Sequence, residues 1–207
     1  EKAYLRFIGH VITKLKQDFL TGLEHKEEFE RRRKEEGGDG AYIFIDGDGL
    51  KKLNDETGDH ASGDAAIRAI STGIREAIRG EDDVQIQAGR EGGDEFLLFV
   101  PNVQLSTAVN VAKRILNRIN SQVIANFYKG QSEEVKQQLQ KWPLGASIGV
   151  GRSKQEADAA MYKAKERGRN RVEFHIDKQD QDKAAALQYI QTKLGTAFAA
   201  TIYSKIR

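Results

Sequence analysis

Residues 84–100 of this chain, VQIQAGREGGDEFLLFV, consist of two apolar runs separated by a glycine-rich acidic segment. Val84 to Ala88 and Phe96 to Val100 have the length of strands, and the second run is continuously apolar, as in a strand buried on both faces. Paired glycines between two such runs are typical of a β-hairpin, because a tight turn needs positive φ. The sequence therefore predicts a hairpin whose turn carries Asp94 and Glu95.

Strands and helices alternate on both sides of this hairpin. Apolar runs predict further strands at residues 41–45, 144–150 and 171–176. Helical periodicity predicts helices at residues 26–36, 65–78, 108–119 and 155–167. Alternation of this kind around one antiparallel hairpin indicates an α/β fold, with a mixed central sheet flanked by helices.

Both ends of the chain have apolar residues at helical spacing. In the first 20 residues these are Leu5, Ile8, Ile12, Leu15 and Phe19. That spacing fits either the seam of a short coiled coil or a helix packed on its own domain. After Asp177 they are Leu187, Ile190, Leu194, Phe198 and Ile202. We therefore expect an N-terminal helix at 1–17, a central domain at 18–176 and a C-terminal helical extension at 177–207.

Composition restricts the class of protein. A chain of 207 residues, 39% of them apolar, can bury one core with room for appendages. Its 33 basic and 31 acidic residues leave a net charge of +2, which does not indicate a nucleic-acid or membrane surface. No stretch reaches the roughly 18 apolar residues of a membrane span. The lack of cysteine excludes thiolate chemistry and fits a cytoplasmic protein. The start has neither a secretory leader nor a methionine, so we expect an excised fragment.

Acidic residues follow two of the predicted strands. Asp46 and Asp48 come directly after the strand at 41–45, and Asp94 and Glu95 lie in the hairpin turn. If the two strands are neighbours, these carboxylates converge on a site suited to Mg²⁺, which binds one or two carboxylates plus substrate phosphates. Two such ions would suit in-line phosphoryl displacement, and the glycine N–H groups would be open to phosphate. The alternative is a simple tight turn and a strand-end cap.

A second motif indicates a different chemistry. Residues 145–149, GASIG, match G-x-S-x-G, and Asp158 and His175 follow in the order of a serine hydrolase. That motif requires the serine to lie on a turn from strand to helix. Here Ile148 and Val150 continue the apolar strand, which argues against Ser147 as a nucleophile.

Five blocks of the sequence resemble, in order, the motifs of the GGDEF domain, the diguanylate cyclase family. They are DFLTGL at 18–23, DGDGLKKLND at 46–55, GGDEF at 92–96, SIGV at 147–150 and ADAAMYKAKERGRN at 157–170. The resemblance covers about residues 18 to 174, and agreement by chance across five ordered blocks is negligible.

The resemblance implies a palm-like fold akin to adenylyl cyclases, with a ferredoxin-like core. It also implies that residues 18–176 form a catalytic domain that condenses two GTP into cyclic di-GMP with release of pyrophosphate. The implied cofactor is Mg²⁺, with Mn²⁺ as an alternative. A homodimer would be needed for turnover, and an upstream sensory domain would control it. Alternatives are a catalytically silent module that binds GTP or cyclic di-GMP, and a cyclase with altered base choice.

The family's functional residues transfer onto matching positions of this sequence. The resemblance implies metal ligands at Asp46, Gly47 through its carbonyl, Asp94 and Glu95. It implies catalytic roles for Glu95, Asp94 and Lys51. It implies substrate binding by Asn54 and Asp64 at guanine, by Gly92 and Gly93 through the backbone, and by Lys165 and Arg169 at phosphates. A carboxylate can accept hydrogen bonds from guanine N1–H and the 2-amino group, and an amide complements them.

The sequence departs from the family pattern at a few positions. Residues 54–64, NDETGDHASGD, contain one residue more than the family motif, with Asp59 inserted. This insertion would displace Asp64 and favours the silent module. Leu50 replaces the usual Phe, and His25-Lys26 stands where the family often has Asn-Arg.

Overall fold

A computed structural model of the chain describes residues 16–57, 60–79, 85–122, 132–133, 136–137 and 144–176. The predicted C-terminal extension and all but the last two residues of the predicted N-terminal helix lie outside the described residues. The prediction of a helix is wrong at its described end, since Gln17 forms a β-bridge with Glu24. Phe19, predicted in the apolar seam, lies in a turn and is 99% exposed. The chain divides into two units, Glu1–His175 and Ile176–Arg207. The six strands and five helices of the sheet domain all belong to the first unit. The domain boundaries expected from the sequence stay predictions.

Six strands form one mixed sheet. They are β1 (Glu24–His25), β2 (Gly40–Asp48), β3 (Gln87–Gly92), β4 (Glu95–Pro101), β5 (Gly145–Gly151) and β6 (Arg171–Phe174). Their spatial order is β1-β3-β4-β2-β5-β6. The outer pairs β1–β3 and β5–β6 are parallel, and the three inner pairings are antiparallel. The predicted mixed α/β sheet with flanking helices is thus confirmed.

The described helices lie on both faces of this sheet. They are α1 (Lys26–Glu36), α2 (Leu50–Thr57), α3 (His60–Ile78), α4 (Leu105–Gln122) and α5 (Lys154–Glu166). Alternate residues of a strand face opposite sides, so Ile43 and Ile45 join a core with α3 and α4. Phe44 faces the other way and packs with Phe29 of α1 and Met161 of α5.

The predicted hairpin is the centre of the sheet. β3 and β4 are joined by Gly93 and Asp94, and Gly92 pairs with Glu95. Residues 96–100 of β4 are all buried, because helices cover both faces of this strand. Because β4 is covered on both faces, its residues 96–100 are all apolar in the sequence.

The structure adds two elements that the sequence pattern did not predict. Among the α2 residues whose burial is described, 50–55, only Leu50 and Leu53 are buried, too few for a periodic signal. Strand β1 has two residues and forms only by pairing with β3. Strand β2 also continues three residues beyond the predicted Ile45, so Asp46 and Asp48 belong to the strand itself. No helix in the described part of the chain is long and apolar enough to cross a membrane.

Candidate active site

The inner strands bring the two predicted acidic segments together. Asp46 of β2 and Glu95 of β4 are directly paired in register. The backbone carbonyl of Asp94 accepts a hydrogen bond of 3.0 Å from the Gly47 N–H. A Cβ atom added to Gly47 would lie 3.3 Å from the Cβ of Asp94. The two acidic segments of the sequence therefore meet at one end of the sheet.

The hairpin turn presents bare backbone beside these carboxylates. Gly92 has φ of 153° and Gly93 has φ of 52°, a region that L side chains rarely adopt. Both residues are exposed, and a Cβ atom added to either would have nothing within 4 Å. The turn thus leaves open space in which a phosphate group could approach the backbone.

Asp46 is a buried carboxylate with one close cation. It is 7% exposed, and the Lys165 ammonium in the last turn of α5 lies 2.6 Å from its Oδ2 atom. Burial raises the pKa of Asp46 to about 6, with Lys165 opposing the rise and the carboxylates of Asp94 and Asp48 adding to it. A positive charge close to this carboxylate therefore favours its ionised form.

Asp48 has a structural role that the sequence pattern did not indicate. It is 3% exposed; its Oδ1 accepts from the Ser147 hydroxyl at 2.8 Å, and its Oδ2 accepts from the Asn170 N–H at 2.9 Å. Arg169 and Asn170 both have positive φ, 62° and 46°. Asp48 therefore fixes a strained turn after α5. The one sequence signal was an asparagine after Gly168-Arg169, since asparagine tolerates this conformation.

The Asn54 side chain has a buried oxygen atom, Oδ1, with no hydrogen-bond partner in the described part of the chain. A Cβ atom at Gly63 of α3 would overlap this side chain, so glycine is required for α3 to come this close. Asp64, the next residue, is exposed near the start of α3. The two predicted guanine-binding residues thus come from helices that meet at this point.

Arg90 connects the hairpin turn to the start of the described chain, and nothing in the sequence pattern singled it out. Its guanidinium donates to the Gly93 carbonyl from Nε at 3.0 Å and Nη2 at 2.7 Å. Its Nη1 lies 3.1 Å from both carboxylate oxygens of Asp18. Burial alone would raise the pKa of Asp18, but hydrogen bonds from Thr21 and the charge of Arg90 lower it overall. Arg90 therefore holds the turn that carries Asp94.

Glu91 is a second buried acidic residue beside the turn. The strand is irregular between Arg90 and Gly92, and the Glu91 side chain is only 6% exposed. Its carboxylate lies 2.7 Å from the Lys154 ammonium of α5 and 3.4 Å from that of Lys26 in α1. This explains the lysine of the His25-Lys26 pair, and it ties both helices of one face to the hairpin.

Not every predicted site residue is gathered here. Lys51 is exposed on α2, and the Arg169 side chain is 62% exposed, with its Nε 3.8 Å from Asp48 Oδ1. Residues 58–59, which include the inserted Asp59, lie outside the described residues. A cavity of about 980 Å³ lies at the opposite end of the sheet, and Tyr42, Phe99 and Arg152 are among its lining residues. None of the predicted site residues lines this cavity.

The carboxylates fit a divalent ion only in part. In the described ranges no three His, Cys, Asp or Glu side chains are grouped closely enough to hold a metal ion by themselves. Asp46, Asp94 and the Gly47 carbonyl nevertheless match the preference of Mg²⁺ for oxygen ligands, with the remaining ligands coming from phosphates and water. Asp46 is buried beside Lys165, and its burial raises its pKa to about 6 although the Lys165 ammonium opposes the rise. The donors present therefore fit an ion that arrives with a phosphate-bearing substrate.

The serine hydrolase interpretation is wrong. Ser147 is fully buried within β5, and its hydroxyl donates to Asp48. A nucleophilic serine must instead be exposed at a turn between a strand and a helix. Ser147 supports the carboxylate of Asp48 and has no access to a substrate.

Comparison with known proteins identifies the family. The family model described as "Diguanylate cyclase, GGDEF domain" matches residues 11–171. The chain is 32% identical over 176 residues to the Bacillus subtilis protein YhcK, covering 78% of this chain and 46% of that protein. A Staphylococcus haemolyticus membrane protein is 31% identical over 178 residues, covering 77% of this chain and 46% of that protein. The chain thus spans about half the length of these curated relatives.

Solved structures show the same fold. The coiled coil and GGDEF domain of DgcB from Caulobacter crescentus, in complex with c-di-GMP, matches with a TM-score of 0.65. The identity is 23%, and the match covers 84% of this chain and 93% of that chain. The diguanylate cyclase SiaD from Pseudomonas aeruginosa, in complex with its activator SiaC, matches with a TM-score of 0.59 and 26% identity. That match covers 84% of this chain and 68% of SiaD. With its motifs, its sheet and its hairpin in agreement, the chain belongs to the GGDEF family of diguanylate cyclase domains.

Proposed function

We propose that this chain is an active diguanylate cyclase domain, which condenses two GTP into cyclic di-GMP with release of two pyrophosphates. The observation that carries the proposal is the intact Gly-Gly-Asp-Glu turn, hydrogen bonded to β2 beside the buried Asp46. Asp46 is buried beside this turn, where it could hold a divalent ion together with Asp94. A domain of this kind acts on cytoplasmic nucleotides, so we place it in the cytoplasm.

The proposed binding mode uses the Asn54 amide, the open hairpin turn and the cations around them. The free Oδ1 of Asn54 would accept a hydrogen bond from guanine, and Asp64 would accept from N1–H and the 2-amino group. The open backbone at Gly92 and Gly93 would lie against the triphosphate. Lys51, Lys165 and Arg169 would neutralise its negative charge.

In the proposed reaction, the 3′-hydroxyl oxygen of one GTP forms a bond to the α-phosphorus of the other, and the bond from that phosphorus to pyrophosphate breaks. Glu95 would accept the proton of the attacking hydroxyl. Asp46, Asp94 and the Gly47 carbonyl would hold a divalent ion, which when bound neutralises charge that develops on the α-phosphate. The chain's own contribution is mostly positioning, since its groups are fixed by the sheet before the substrate arrives.

Two protomers are required by this chemistry. Each protomer would hold one GTP, and cyclic di-GMP contains two linkages, so two sites must face each other. The predicted N-terminal helix, with its apolar seam from Leu5 to Leu15, would bring the protomers together. The upstream sensory domain that the resemblance implies remains a prediction as well.

The test is to incubate purified protein with GTP and Mg²⁺ and to detect cyclic di-GMP by mass spectrometry, with a parallel ATP reaction. We expect product from GTP, none from ATP and none after EDTA. Glu95→Gln should lower the turnover rate by more than about 100-fold, the typical contribution of a positioned proton acceptor. Its circular dichroism spectrum should be unchanged, which would show that the fold is intact. Absence of product from a dimeric sample that binds GTP would instead establish the silent module.

A further inference from the structure

The carboxylate of Asp46 is already neutralised by the chain itself. Lys165 Nζ lies 2.6 Å from Asp46 Oδ2, and the two side chains are 28% and 10% exposed. The neighbouring Asp48 has both oxygens engaged by Ser147 and Asn170. Lys165 is therefore held by the same carboxylate that is the deepest candidate ligand for a divalent ion.

A divalent ion and the Lys165 ammonium cannot both remain at this position. Mg²⁺ binds carboxylate oxygen at about 2.0–2.1 Å, so an ammonium still in contact with the same carboxylate would lie within a few ångströms of it. Repulsion between two such cations in a partly buried site is strong, because the charges are close and little water screens them. The ion can enter fully only if Lys165 moves away.

Lys165 needs another anion when it leaves. Lys165 lies in the last turn of α5, and its side chain is 28% exposed. The open backbone at Gly92 and Gly93 marks the place where phosphates would lie. A nucleoside triphosphate that arrives with a bound divalent ion would supply two things. Its phosphates would pair with the Lys165 ammonium, and its divalent ion would take the place of that ammonium at Asp46.

We propose that Lys165 acts as a resident cation that blocks divalent ions from Asp46 until a nucleoside triphosphate arrives and draws it away. Metal binding in this domain is then conditional on nucleotide binding. The inference rests on the proposed function for the identity of the nucleotide, but its central claim concerns the nucleotide-free protein. In this proposal Lys165 pairs first with the Asp46 carboxylate and, once the nucleotide has bound, with one of its phosphates.

The test measures Mn²⁺ binding without nucleotide, by electron paramagnetic resonance of the free ion. At about pH 8, well above the raised pKa of Asp46, we expect Lys165→Met to bind Mn²⁺ about tenfold more tightly than the natural protein, because removal of the competing charge leaves the Asp46 carboxylate free. The matched control is Lys163→Met, an exposed residue two positions away on α5, which should leave the affinity unchanged. The double variant Asp46→Asn with Lys165→Met should lose the increase in Mn²⁺ affinity. That loss would show that the additional Mn²⁺ binding in Lys165→Met takes place at Asp46.

A second measurement uses a GTP analogue with a methylene group between the α- and β-phosphates, which cannot react. In the presence of Mn²⁺, Lys165→Met should bind this analogue more weakly than the natural protein, because the phosphate partner is lost. Lys165→Gln provides the same comparison if the methionine variant fails to fold.

The inference and the proposed function can fail separately. Equal or weaker Mn²⁺ binding by both folded Lys165 variants would overturn the inference, even if the natural protein makes cyclic di-GMP. Tighter Mn²⁺ binding by the variants would support it, even if the natural protein makes no cyclic di-GMP. A merely structural lysine would lower the melting temperature without raising the affinity for Mn²⁺.

Discussion

Asp46 and Asp48 lie two residues apart on one strand, and their surroundings give them different functions. Asp48 is satisfied by Ser147 and by the Asn170 backbone, so it fixes the local structure. Burial raises the pKa of both carboxyls, but Asp46 contacts the charged side chain of Lys165 where Asp48 has this pair of hydrogen bonds. Spacing in the sequence could not separate the two roles, because the hydrogen bond donors to Asp48 come from residues about 100 or more positions away.

The raised pKa of Asp46 predicts how the stability of the metal-free protein depends on pH. Its pKa is about 6 in the folded state and 3.8 for an unperturbed carboxyl. The contribution of this group to stability is therefore fully present below pH 3.8 and is lost as the pH rises through about 6. Asp46→Asn removes this dependence. We expect the variant to gain on the order of 1–3 kcal/mol relative to the natural protein between about pH 4 and pH 7.

Urea unfolding in EDTA at a series of pH values measures this difference directly. The natural protein should approach the variant in stability as the pH falls. Parallel stability curves for the two proteins across this range would contradict the assignment of Asp46 as the group with the raised pKa.

Loss of the Asp48 charge should loosen the turn after α5. In Asp48→Asn an amide cannot accept both from Ser147 and from the Asn170 N–H, so one buried donor is left unpaired. We expect a loss of about 1–3 kcal/mol in the free energy of unfolding. Because Arg169 belongs to the same turn, the KM for GTP should rise more than kcat falls. Ser147→Ala is the milder comparison, since it removes one donor and leaves none unpaired.

At the scale of elements, the hairpin is fixed from both sides. Arg90 holds the carbonyl of Gly93 and reaches Asp18, while Glu91 pairs with lysines at the first positions of α1 and α5. The irregular pairing between Arg90 and Gly92 allows these neighbouring side chains to reach separate partners. The hairpin turn is therefore connected to the residues that enter from the N-terminal side.

This connection predicts the behaviour of Arg90→Lys. A lysine ammonium cannot reproduce the planar donors that reach both Gly93 and Asp18. Amide hydrogen exchange should become faster at residues 92–95, while the amides of the β2–β4 pairing stay protected. Formation of cyclic di-GMP should fall by about tenfold or more, since a small displacement of the turn misplaces Asp94 and Glu95. Unchanged exchange at the turn would show that Arg90 does not hold it.

Elements with strong patterns were predictable, and contacts between elements were not. The hairpin was visible from its paired glycines and its apolar run, and α1 was predicted with the bounds that the structure gives. Helix α2 was missed because only two of its residues between 50 and 55 are buried, which is too few to show a helical period. The roles of Arg90 and Glu91 could not be predicted, because their partners become neighbours only when the sheet forms.

At the scale of the whole molecule, the family resemblance supplied what the residues alone left open. Acidic residues at two strand ends were consistent with either a metal site or simple turns, and the meeting of Gly47 with Asp94 now brings them together. The inserted Asp59 and both ends of the chain lie outside the described residues. The assembly of two protomers therefore has to be tested in solution.

If turnover requires two protomers, an inactive chain should suppress product formation by the natural chain with which it pairs. A dimer of one natural chain and one Glu95→Gln chain can form at most one of the two linkages, so it releases a linear dinucleotide and no cyclic product. If the chains mix freely, a one-to-three mixture of natural and variant protein should make cyclic di-GMP at about one quarter of the rate per natural chain. The measurement is quantification of both products by mass spectrometry at constant total protein.

Dilution of the natural protein with buffer alone should also lower its specific activity, because dissociation follows mass action. A rate per natural chain that is independent of the variant, with dimers of mixed composition demonstrated in the sample, would mean that a single chain closes both linkages.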